Sequence, residues 1–105
     1  MAYQKALTVL SDPTRRAVFE GLRDGPAPAG LLAKRFPVSR PAVSQHLKVL
    51  RDAGLVDVKQ RGTSRIYSIR LDALRELRDW IDGFWDDALL QYKEALERDD
   101  GHRQN

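Results

Sequence analysis

Between Ser39 and Arg51 the chain reads Ser-Arg-Pro-Ala-Val-Ser-Gln-His-Leu-Lys-Val-Leu-Arg. At about 100° per helical residue, Val43, Leu47 and Leu50 fall on one narrow arc, and Arg40, Pro41, Ser44, Gln45, Lys48 and Arg51 fall on the other. That second arc carries no acidic residue. It offers small and hydrogen-bonding side chains near its start and cations further along. A guanidinium can donate in parallel to the N7 and O6 of guanine, a carboxamide can pair with the N6 and N7 of adenine, and either cation type can neutralise phosphate. The chemistry indicated is recognition of a nucleic-acid duplex through its major groove. Arg40 and Gln45 are the first candidates for reading bases. Ser44 suits base or phosphate, and Lys48 and Arg51 suit the backbone. An ordinary surface helix with a solvated polar face would show much of the same pattern. His46 lies beside the apolar arc, next to Ala42 and Val49, and reads equally as a packing residue or a phosphate contact.

A second basic set follows. Lys59, Arg61 and Arg65 surround Gly62-Thr63-Ser64. A glycine turn lets a narrow ribbon approach a duplex, and arginine suits a minor groove or its phosphates. A basic hairpin tip says little alone; directly behind a basic helix it completes a two-point grip. No serine–histidine–carboxylate order and no glycine-rich phosphate loop is present, so nothing supports an enzyme.

These residues need elements to carry them. A short helix is expected over 2–10, with Tyr3, Ala6, Leu7 and Leu10 on one face. Ser11-Asp12-Pro13-Thr14 starts a second helix, which continues through Ala17, Val18 and Leu22 to Asp24-Gly25-Pro26. A third spans 28–36 with Leu31, Leu32 and Phe36 inward. Pro37-Val38-Ser39 is a turn, and Ser39 caps the next helix, which ends at Asp52-Ala53-Gly54. Leu55–Arg61 and Arg65–Leu71 alternate as two strands. From Asp72 to about Arg98 the pattern is helical, on the order of 40 Å long. The fold class expected is mainly α with a two-stranded β-hairpin wing: a winged helix-turn-helix with a long C-terminal dimerisation helix. A single domain over 1–98 and a flexible polar tail over 99–105 complete the reading.

Charge agrees with that division. The chain of 105 residues has a net charge of +3. Residues 1–70 hold 13 Lys and Arg against 5 Asp and Glu, a net of +8, and residues 71–105 hold 5 against 10, a net of −5. A basic body beside an acidic segment fits a polyanion-binding face plus a separate surface. There is no cysteine, which excludes disulfides and thiolate metal sites and suits a reducing cytosol. No long apolar run or signal peptide is seen, so no membrane partner is expected.

The sequence resembles the ArsR family of winged-helix repressors over residues 3 to about 96. The resemblance rests on Leu10-Ser11-Asp12-Pro13-Thr14-Arg15-Arg16, on Ser39 to Leu50, on Ala53-Gly54-Leu55-Val56, and on the Arg61-Gly62…Tyr67 hairpin. It implies a cytoplasmic homodimer that binds a pseudo-palindromic double-stranded DNA operator and blocks transcription. It also implies a dimer interface made by the first and last helices, with ligand binding or modification lowering DNA affinity. Many members sense metals, but Pro28-Ala29-Gly30-Leu31 stands where the family's thiolates would be. The last helix offers Asp72, Asp79, Asp82, Asp86, Asp87, Glu94 and Glu97 without a histidine, and His102 lies in the tail. Carboxylates alone suit hard cations, so no metal and no cofactor is expected. The inducer is left open. A metal- or small-molecule-responsive sensor and a winged-helix protein-interaction module are the alternatives.

The last helix is apolar over roughly half its circumference, wider than one core-facing stripe needs. Leu77, Trp80, Ile81, Phe84, Trp85, Ala88 and Tyr92 are expected to meet a second copy, with Tyr3, Leu7 and Leu10 of the first helix alongside.

Overall fold

A computed structural model describes the backbone of residues 2–103 and the side chains of residues 3–99. In chain order the elements are α1 (Ala2–Val9), α2 (Pro13–Glu20), β1 (Ala27–Pro28), α3 (Ala29–Ala33), α4 (Arg40–Asp52), β2 (Val56–Arg61), β3 (Ser64–Ile69) and α5 (Leu71–Arg103).

Local chemistry sets the boundaries. Asp12 caps α2 by accepting from the Arg15 N–H at 2.9 Å, and Pro13 occupies the first turn, where its missing donor has no helical partner. Arg15 and Arg16 then reach back: their Nη1 atoms donate to the carbonyls of Val9 (3.2 Å) and Leu10 (3.3 Å). Those guanidiniums satisfy the open end of α1 and fix it against α2. The second helix stops at Glu20, earlier than the sequence indicates, and Gly21 allows a close crossing. A Cβ there would lie 3.0 Å from the Phe36 ring and 3.2 Å from Leu32.

Ser39 caps α4, accepting from the Ala42 N–H at 3.3 Å. At the other end Gly54 takes φ +79°, the Leu55 N–H donates to the Leu50 carbonyl and the Gly54 N–H to the Arg51 carbonyl, both at 2.9 Å. This is a Schellman closure, which needs the left-handed residue that glycine supplies. The β2–β3 hairpin turns on Gly62-Thr63 with Gly62 at φ +61°, as a type II′ loop requires.

The core gathers one face from each body element. Val18, Leu32, Val43, Leu47, Leu50 and Leu55 are fully enclosed. The sheet is three-stranded, in the order β1-β3-β2, with Ala27 opposite Tyr67 and Pro28 opposite Ile66. The sequence indicates two strands only: β1 is two residues long and contains a proline, which is tolerated at a sheet edge but gives no alternating pattern. Leu31 is exposed rather than inward: in the short α3 Leu32 is fully buried, Ala29 and Ala33 pack against the core, and Leu31 faces out. Leu71 begins α5 and does not continue the strand.

The last helix is 33 residues, about 50 Å, in a molecule 73 × 26 × 22 Å overall. No proline interrupts it, and it runs through residues 99–103 of the segment read as a polar tail; the side chain of His102 and residues 104–105 lie outside what is described. Its start packs on α1: Leu77 is buried, Ala73 and Leu74 are half-buried, and Tyr3 stacks on Trp80 at 5.3 Å between ring centroids.

Candidate nucleic-acid interface

Because Val43, Leu47 and Leu50 anchor one side of α4, its opposite side must face outward. The wing rises beside it, and between them lies a concave groove of about 850 Å³. Arg40, Pro41, Ser44, Gln45, Lys48, Arg51 and Asp52 line it from α4, and Gln60, Thr63, Ser64, Arg65 and Tyr67 line it from the wing. Pro28 and Ala29 complete the lining. Four cations thus look into one concavity from two elements, an arrangement that concentrates positive potential.

The structure does not bring every expected residue here. Antiparallel register sets Gln60 opposite Arg65 and Val58 opposite Tyr67, so these share one face of the hairpin. Lys59 pairs with Ile66 and Arg61 with Ser64 on the other pleat; of these four only Ser64, beside the turn, lines the groove. Gly62 forms the turn apex. Ser39 uses its hydroxyl to cap α4. His46 is half-buried and does not line the groove. The Asp12 carboxyl is held below its ordinary value, chiefly by the Arg15 N–H bond, which with help from the nearby Arg15 charge outweighs the desolvation that pushes it up.

Five lining residues went unread in the sequence: Pro28 and Ala29, and Asp52, Gln60 and Tyr67, for which the signal was there. Asp52 sits one turn beyond Lys48, on the same arc, so the outward side of α4 is not wholly free of carboxylates. Gln60 and Tyr67 follow from the alternation that places Val58 inward. Gln60 also braces the tip: its Nε2 donates to the Gly62 carbonyl at 3.0 Å.

A second surface lies along α5. Ile81, Phe84, Trp85 and Tyr92 are each more than half exposed, Trp80 is 38% exposed, and Ala88 lies on the same side. Leu89 and Leu96 are exposed on the same side of α5. Leu7 is exposed, Tyr3 and Leu10 are half-buried, and Leu77 is already covered within the chain. Among the described residues, no group of three or more His, Cys, Asp or Glu is placed to hold a metal ion. Among them, too, no helix is long and apolar enough to cross a membrane.

Comparison with known proteins matches residues 10–59 to a helix-turn-helix domain family. The chain is 47% identical over 93 residues to the HTH-type transcriptional regulator Rv2034 of Mycobacterium tuberculosis, covering 89% of this chain and 87% of that one. It is 33% identical over 75 residues to the transcriptional repressor SdpR of Bacillus subtilis, covering 71% and 83%. Among solved structures, an ArsR-like transcriptional regulator from Rhodococcus sp. RHA1 superposes with a TM-score of 0.72 at 30% identity, covering 89% of this chain and 91% of that one.

Proposed function

The chain belongs to the ArsR family of winged helix-turn-helix transcriptional regulators, and from that premise we propose that it acts as a homodimeric repressor gripping operator DNA in the groove between α4 and the wing. The observation that carries this reading is the convergence of Arg40, Lys48, Arg51 and Arg65 on one concave surface. A helix of this kind reads base edges from its N-terminal turns. Arg40, Ser44 and Gln45 are therefore assigned to bases. Lys48 and Arg51, further along, and Arg65 on the wing are assigned to phosphates. Lys59 and Arg61, on the far face of the hairpin, are left with a secondary backbone role.

Dimerisation supplies the second half of the grip. The stripe from Trp80 to Tyr92, with Tyr3 and Leu7 beside it, is too apolar and too aromatic to face water along a helix of this length. A two-fold partner covers it and presents two reading helices to half-sites one or more helical turns apart. The acidic side of α5 then points away from phosphate.

Selection of bound duplexes from a random pool tests the reading in one step. The expected product is a site with two-fold symmetry and fixed half-site spacing. Failure to enrich any sequence, together with no salt-dependent duplex binding, would leave the groove without the role given to it.

A further inference from the structure

Asp52 is the one carboxylate among the residues that line the groove. It occupies the last turn of α4, where a negative charge opposes the helix dipole, so it is not placed there to stabilise the helix. Nor is its carboxylate used internally. Among the described residues no ion pair includes it, and Lys5 of α1 donates to its backbone carbonyl at 3.5 Å, leaving the side chain exposed. The C-terminal end of a reading helix meets the DNA backbone, not base edges.

Resting on the DNA-binding reading above, we propose that Asp52 is an affinity-limiting residue: its carboxylate repels the phosphates held by Lys48, Arg51 and Arg65 and weakens binding to every duplex alike. The repulsion is independent of sequence, since phosphates carry no base identity. It lowers the grip on bulk DNA and operator by the same factor, so the dimer stays releasable while its base preference is untouched. The four cations set the attraction, and Asp52 trims it from within the same concavity.

The test compares Asp52→Asn with the parent on two fluorescent duplexes of equal length, one recovered by selection and one of unrelated sequence, from 50 to 300 mM KCl. One carboxylate–phosphate repulsion across roughly 7 Å of water is worth about threefold in affinity unscreened and about twofold at 50 mM salt, hence about threefold for a two-fold pair at the low-salt end. Asp52→Asn is expected to tighten both duplexes by about that factor, to steepen the salt dependence, and to leave their affinity ratio unchanged. Asp52→Glu is expected to behave as the parent. Asp86→Asn on α5 makes the same change in net charge away from the groove and is expected to change nothing. Thermal melts of each variant establish that all are folded. The proposal is overturned if Asp52→Asn leaves the unrelated duplex unaffected, if it weakens the selected duplex alone (a base contact), or if Asp86→Asn matches it. Loss of the proposal in any of these ways leaves the parent's own duplex binding standing; absence of that binding removes both.

Discussion

Replacing Lys48 by glutamine removes one positive charge from the middle of the groove while keeping a side chain of similar reach. Three groove cations, Lys48, Arg51 and Arg65, are assigned to phosphate, giving six contacts in a two-fold pair. Counterion release then sets the logarithmic slope of affinity against salt at about −5, close to 0.9 per neutralised phosphate. Lys48→Gln takes away two contacts per pair, and the slope falls to about −3.6. Between 50 and 200 mM salt the parent should therefore lose about three orders of magnitude in affinity and the variant about two. Fluorescence anisotropy on a labelled duplex of unrelated sequence reads this directly, because only the electrostatic part of binding is present. Gln45→Ala is the companion: its slope should match the parent while preference among selected duplexes flattens. An unchanged slope for Lys48→Gln would mean that this cation faces solvent in the complex, and the orientation of α4 on DNA would have to be redrawn.

The remaining expectations concern the wing, the dimer and the fold. Arg65→Ala should weaken binding to all duplexes more than Lys59→Ala does, since only Arg65 faces the groove; equal effects in a gel shift would contradict the register argument. Trp85→Glu should shift the protein from dimer to monomer in sedimentation while leaving its helical content intact, whereas Leu77→Ala should cost about 2–5 kcal/mol in urea unfolding because that side chain is buried within the chain itself. Gly21→Ala forces a methyl group against Phe36 and Leu32 and should cost about 1–3 kcal/mol by the same measurement. Asp12→Ala should lower the melting temperature at neutral pH. The folded-state value of Asp12 is depressed, so its contribution is complete above the unfolded carboxyl's value and is lost as pH falls through the folded one. The gap between variant and parent should accordingly close in acid.

Strong periodicity and caps made α4 legible: Ser39, Pro41 and Gly54 bound it, and Val43, Leu47 and Leu50 fixed its orientation. The long α5 was legible from its unbroken 3.6-residue pattern, although its exact end was not, because the polar residues after Arg98 carry neither proline nor an apolar stripe. Short elements were read less well. β1 is set by its pairing to β3 and by the burial of Ala27, long-range contacts that Ala27-Pro28 cannot announce. Within the groove, the α4 side chains follow from helical geometry, but the wing's contribution depends on which pleat faces inward. Basic character alone grouped Lys59 and Arg61 with Arg65; strand register separates them. Arg15 and Arg16 likewise look like surface cations in the sequence, whereas the fold spends them on the carbonyls that end α1.

The tight closure at Gly54 has a mechanical corollary. Leu55 and Val56 follow it at once and are sealed into the interior, so no slack separates the reading helix from the hairpin. Helix and hairpin are clamped like the jaws of a fixed-gap caliper, and the spacing between the outward side of α4 and the wing is built in. If the chain pairs along α5 as proposed, adjustment between half-sites would then fall to the angle between the two copies rather than to the gap between helix and hairpin.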